Sequence, residues 1–247
     1  MAAKKIKGDI SWAVAEEALA DTRNKFHAKR TAQGYQTVKD DGVVHMERLA
    51  KRELKAAGVE HKVECIRLTT VVDIPPSEAT RLLNDYEVRK TWEDTLTKES
   101  RSDVVVLERD NQTVQVIRTL SNAALGGLIS PREFIDLAWT EVQDDGSILH
   151  FAQSIDHPDF PHTKGFVRGV NFPCGMLYEP VPASNDDDDD NGGDGEGDKH
   201  TRTKLTYIIH SDVGGWLPAS LVFKGTTTTM WTILQSLHAH IRARQAA

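Results

Sequence analysis

Three things are scarce in this chain of 247 residues: long apolar runs, cysteines, and charge of one sign spread along its length. No stretch approaches the roughly 20 apolar residues that a membrane-crossing helix needs. The opening Met1-Ala2-Ala3-Lys4-Lys5 leads into polar residues without the apolar segment of a secretion signal, so the expected compartment is the cytosol. The two cysteines, Cys65 and Cys174, lie far apart in no recognisable spacing; they read as reduced structural thiols and give no support to a disulfide framework or a thiolate metal site.

The net charge of −7 is local. Asp186 to Asp190, Asp194, Glu196 and Asp198 place eight acidic groups within thirteen positions, and the rest of the chain carries +1. With no basic face, nucleic acid is not an expected partner. This low-complexity segment, about 184–200, is expected to be a disordered surface insertion in a single domain spanning 1–247.

Catalytic spacing is missing as well. His157-Pro158-Asp159-Phe160-Pro161-His162 offers two histidines without a third ligand. Asp187, Asp189, Asn191, Gly192 and Asp198 approximate a calcium loop, but Pro180 and Pro182 precede them and a strand follows, where such a loop needs helices. No catalytic residue, metal ligand or cofactor is expected.

What the sequence does carry is a clear order of elements. Trp12, Ala15, Leu19 and Phe26 recur at helical spacing from Ile10 to about Lys29, with Ser11 as a helix cap, which predicts one amphipathic helix. A hairpin follows over 34–49 through Asp40-Asp41-Gly42, then a strand from Cys65 to Val72 that stops at Pro75-Pro76. Ser77 to Trp92 is helical in pattern, capped by Ser77. Six strand-like runs occupy 104–107, 114–120, 133–142, 148–155, 165–178 and 205–211. Gly214-Gly215-Trp216-Leu217-Pro218 then turns into a final helix with Met230, Ile233, Leu234, Leu237 and Ile241 on one stripe. Helices at both ends with antiparallel strands between them predict an α+β domain in which a curved sheet grips the last helix.

Three stretches stand in a fixed order: Ile129-Ser130-Pro131-Arg132-Glu133-Phe134-Ile135-Asp136-Leu137, Gly165-Phe166-Val167-Arg168-Gly169, and Thr206-Tyr207 through the Gly214–Pro218 turn. Together with Asn171-Phe172-Pro173-Cys174-Gly175, they make the chain similar to the START family, the steroidogenic acute regulatory protein-related lipid-transfer domains, over about residues 70–241. The resemblance is strongest to small soluble members made of the bare domain and associated with sterols or bile acids. It implies a helix-grip fold: about nine antiparallel strands in a U-shaped sheet, closed by the C-terminal helix around a hydrophobic cavity for one lipid. A curved sheet of that size has an inner face too wide for its own side chains to fill.

The resemblance also implies where the lipid lies. The family's polar contacts fall by motif spacing on Thr119, Ala138, Ala152 and Tyr207, and only Tyr207 keeps its type. Strand alternation adds Gln115, Ile117, Asp136, His150, Ser154, Leu205 and Ile209 to the same faces, and Leu125 and Phe223 complete the expected ligand-binding set. Without the family's buried acid and its partner, phospholipid and ceramide are disfavoured. The expected ligand is a sterol or a sterol-like, bile-acid-like molecule, its hydroxyl bound by Tyr207, Thr119 or Gln115.

The alternatives are another lipid, such as a phospholipid, or a helix-grip enzyme whose one candidate acid–base pair is Asp136 with His150. Arg132 and Arg168 are expected to make structural ion pairs or loop hydrogen bonds. The loop over 121–129, with Leu125, Gly126, Gly127, Leu128 and Ile129, is the expected gate and site of transient membrane contact. Gly225 and Thr226 to Thr229 are poor helix formers and mark a weak turn that is expected to help the covering helix open, so that the loop and the C-terminal helix together gate the cavity.

Overall fold

The computed structural model describes residues 3–56, 63–101, 106–182 and 202–246. The acidic segment expected as an insertion lies outside the described residues, as does part of the strand expected over 104–107.

The elements run β1 (Lys4–Lys5), α1 (Trp12–Leu19), α2 (Thr22–Thr31), β2 (Gln36–Asp40), β3 (Val44–Leu49), α3 (Lys51–Ala56), β4 (Cys65–Val72), α4 (Pro76–Asn84) and α5 (Tyr86–Arg89). There follow β5 (Val106–Arg109), β6 (Gln112–Ser121), β7 (Arg132–Val142), β8 (Ile148–Asp156), β9 (Val167–Arg168), β10 (Val170–Asn171), β11 (Cys174–Val181), β12 (Arg202–Ile209), β13 (Ser211–Asp212) and α6 (Ala219–Gln245). The main sheet runs β2-β3-β4-β12-β11-β8-β7-β6-β5, each neighbour antiparallel. This is the α+β helix-grip arrangement expected from the sequence.

Both faces of the sheet are covered. On one, Ala15, Leu19 and Phe26 of the N-terminal helices pack with Leu137, Leu149, Phe151 and Ile208. On the other, Leu82 and Leu83 of α4 and the α6 stripe Met230, Ile233, Leu234, Leu237 and Ile241 pack with Met46, Leu68, Leu205 and Ile209. The strands therefore alternate between two buried faces.

Several expected elements are divided. The N-terminal helix is two: Ser11 caps α1, accepting from the Val14 N–H at 3.4 Å, and the chain restarts at Asp21. Its second half is tied down by Lys29, fully buried, whose amine donates to the Pro173 carbonyl; burial pulls its pKa down to about 8. Pro75, not Ser77, takes the cap position of α4, with Pro76 in its first turn, where a missing N–H costs nothing. The run over 165–178 is three strands. A Cβ at Gly169 would collide with the Phe134 ring, so the chain crosses β7 closely there and cannot continue one ladder.

Two further features bear on function. Strand β2 is exposed along its whole length and carries a bulge between Thr37 and Lys39. Helix α6 has no side-chain cap and no acid in its first turn, and none of the side chains from Ala219 to Lys224 is buried.

Candidate ligand-binding cavity

Between the inner face of the sheet, α4–α5 and α6 lies a cavity of about 220 Å³. The strands supply Ile117 and Thr119 (β6), Phe134 and Asp136 (β7), His150 and Ala152 (β8), Cys174 and Met176 (β11), and Tyr207 and Ile209 (β12). Helix α6 closes it with Gly225, Thr226, Thr229, Met230 and Ile233, and the loop before β7 adds Ala124 and Ile129.

Of the residues expected from the sequence, Ile117, Thr119, Asp136, His150, Ala152, Tyr207, Ile209 and Ile129 therefore lie together on the wall. The others do not. Ala138 is buried just behind, packed with Tyr86, Ile117 and Ala152, and Leu205 belongs to the core packed under α6. Gln115 faces Ala138 across the β6–β7 ladder but is not on the wall. Phe223 lines a separate void. Leu125 packs near Gly225, whereas Leu128 points outward, 67% exposed. Leu125, Gly126 and Gly127 form a single 3-10 turn, with positive φ of 50°, 65° and 92°.

The polar groups on the wall differ in how they are held. The Tyr207 hydroxyl has no hydrogen-bond partner among the described residues, and burial raises its pKa, so it remains a neutral donor. Thr119 is engaged: its Oγ1 lies 2.7 Å from the Tyr86 hydroxyl. Asp136 accepts from Ser154 Oγ at 2.6 Å and from Asn171 Nδ2 at 2.8 Å. Burial outweighs those bonds and raises its pKa to about 6. His150 Nδ1 pairs with Thr140 Oγ1 at 2.8 Å; burial, then the charge of Arg89, lowers its pKa to about 4. Asp136 and His150 thus share the cavity but bond to different partners.

The expectation of a wall without a buried charged pair needs correction. Arg89 donates to Glu93 one helical turn on, and their side chains are 7% and 1% exposed. Both line the cavity, and Arg89 also donates to the Leu83 carbonyl at 3.1 Å. Burial opposes the Arg89 charge, but Glu93 together with Tyr86 and Tyr207 outweighs it and the pKa rises. Asn84, at the end of α4, also lines the cavity. Its Oδ1 accepts from the Tyr178 hydroxyl at 3.1 Å, while its Nδ2 is buried and unpartnered.

Sequence reasoning missed Asn84, Arg89 and Glu93, although Tyr86, Arg89 and Glu93 stand at offsets 0, 3 and 7, one helix face. Arg132 and Arg168 do hold loops. Arg132 Nε donates to the Val213 carbonyl at 2.6 Å, and Arg168 pairs with Glu133 at 3.0 Å. No helix among the described residues is long and apolar enough to cross a membrane, and none of their His, Cys, Asp and Glu side chains cluster as metal ligands.

Comparison with known proteins agrees with this architecture. The START domain family matches residues 33–246. The chain is 30% identical to StAR-related lipid transfer protein 5 of Mus musculus over 217 residues, 87% of this chain and 88% of that protein. It is 32% identical to the Homo sapiens protein of the same name over 151 residues, an alignment that spans 60% of this chain and 62% of the human protein. The solved structure of human StAR-related lipid transfer protein 5 superposes with a TM-score of 0.77 at 23% identity, covering 95% of this chain and 100% of that one. A helix-grip sheet around a cavity and a family match over residues 33–246 lead to one conclusion: the chain belongs to the START domain family.

Proposed function

We propose that this protein is a cytosolic lipid carrier that takes one sterol or sterol-like molecule from a membrane, shields it in the cavity and releases it elsewhere. The observation that carries the reading is the free Tyr207 hydroxyl on a wall whose apolar part is made of Ile117, Ala152, Met176, Ile209, Met230 and Ile233. Such a wall suits a rigid apolar body with a hydroxyl to place. Burying several hundred Å² of apolar surface at roughly 25 cal/mol per Å² gives on the order of 10 kcal/mol before ordering costs. One hydrogen bond then suffices for orientation. The names of the relatives, lipid transfer protein and steroidogenic acute regulatory protein, support the same class.

The Arg89–Glu93 pair favours an oxygen-bearing, bile-acid-like member of that class over a plain hydrocarbon, because a ligand acceptor can share the guanidinium. The loop over 121–129 supports membrane contact through exposed Leu128, and the chain acts as one domain. Mass spectrometry of lipids extracted from purified protein, followed by competition with a fluorescent sterol, tests the proposal. Co-purification of phospholipids alone, with no competition by sterols, would overturn the sterol reading.

A further inference from the structure

We infer that a second void, beneath the first two turns of α6, is the outer half of the lipid site and the passage to the cavity. This inference rests on the carrier reading. The void measures about 420 Å³ and is walled by Ile66, Leu217, Val222 and Phe223. Ile209, Ser211 and Thr226 line it and the inner cavity alike, so a partition of three residues separates the two spaces. The inner cavity, at about 220 Å³, falls below the roughly 300–1,000 Å³ of ordinary small-molecule sites. Joined, the two voids fall well inside that range. A lipid too long for the inner space alone gains its full burial once Thr226 moves aside.

The helix is weakest at that point. Its first turn has no side-chain cap, its first six residues bury no side chain, and the Thr227 hydroxyl bonds back to the Phe223 and Lys224 carbonyls at 2.8 and 3.1 Å. Back-bonding of this kind loosens a helix, and poorly buried turns open at low free energy. On the opposite side, Ile129 of the 121–129 loop occupies the notch at Gly225. The lining of the outer void also has a polar part, with the Arg48–Glu64 pair at 3.7 Å and Lys51, whose amine has no partner among the described residues. The outer end of the ligand therefore meets a hydrogen-bond donor without entering the apolar part.

The test uses dehydroergosterol delivered from phosphatidylcholine vesicles and followed by stopped-flow fluorescence. Ser220 is exposed and lines only the outer void, so Ser220→Trp fills that space without disturbing the core. The expected result is a slowing of uptake of at least tenfold and a several-fold loss of affinity, with an unchanged melting temperature. Thr226→Ala, which thins the partition, should speed uptake and release several-fold. Wild-type rates and affinity in both variants would overturn the inference and return the passage to the 121–129 loop. A wild-type chain that takes up no sterol at all would instead overturn the carrier reading beneath it.

Discussion

Ile129 fills the notch that Gly225 leaves in α6: a Cβ built on Gly225 would overlap Ile129 Cδ1, with Leu125 Cδ1 next nearest at 3.7 Å. The 121–129 loop and the covering helix thus meet where one side chain is missing.

That coupling is measurable by a double-mutant cycle. Replacing a mid-helix glycine by alanine ordinarily stabilises by about 1 kcal/mol. In the wild-type background Gly225→Ala should give little of this, because Ile129 has to give way; in an Ile129→Ala background the gain should appear in full. Urea denaturation of the four proteins checks it, and equal gains in both backgrounds would show that the notch is not filled.

The Arg89–Glu93 pair makes the opposite kind of prediction. Arg89→Met alone strands a buried carboxylate and should cost about 3–5 kcal/mol, whereas Arg89→Met with Glu93→Leu should be close to neutral. Denaturation midpoints at constant m-value separate the two cases. If the single substitution is harmless, the pair is not desolvated.

Tyr207 and Tyr86 should divide binding from stability. Tyr86→Phe breaks the bond to Thr119 and should cost about 1 kcal/mol of folding free energy. Tyr207→Phe removes a hydroxyl with no internal partner, so stability should hold while sterol affinity falls about three- to tenfold. A fluorescent-sterol titration beside a thermal melt checks both. Wild-type affinity in Tyr207→Phe would remove the hydroxyl from the recognition scheme.

Two buried groups on the wall titrate in opposite senses. Asp136, raised to about 6 from 3.8, binds a proton more readily in the folded chain. Its contribution to stability is complete below pH 3.8 and is lost as pH rises through 6. His150, lowered to about 4 from 6.5, contributes stability above pH 6.5 and loses it as pH falls through 4. The two nearly cancel between pH 4 and 6.5, so the effect emerges by comparison. On going from pH 7 to pH 4, wild type should gain on the order of 2 kcal/mol relative to Asp136→Asn. Parallel stability–pH curves would show that Asp136 is not desolvated.

What the sequence revealed follows the range of the interactions involved. The inward face of the sheet was legible in two steps: Thr119, Ala152 and Tyr207, which the START resemblance implies, lie on the cavity wall with Ile117, Asp136 and His150, which strand alternation, a local pattern, adds to them. Leu205 obeys the same alternation yet is packed into the core under α6, and Gln115 lies off the wall, and only the tertiary arrangement decides that. Arg89 and Glu93 escaped notice because a basic and an acidic residue four apart on a helix usually face water; α5 and the turn that follows it bring them inward instead. The breaks within 165–178 come from the approach of Gly169 to Phe134, a contact across thirty-five positions that no local pattern announces.

The bulge in β2 has a consequence for the solution behaviour of the protein. A sheet that stays open at its margin presents unpaired amides and carbonyls to any second copy, and a chain built around an oily interior has much to lose from such pairing. Here Val38 is the extra residue, Lys39 lies across the Trp231 ring at 3.9 Å, and Asp40 follows. The margin is therefore kinked and charged where a flat apolar one would invite edge-to-edge aggregation.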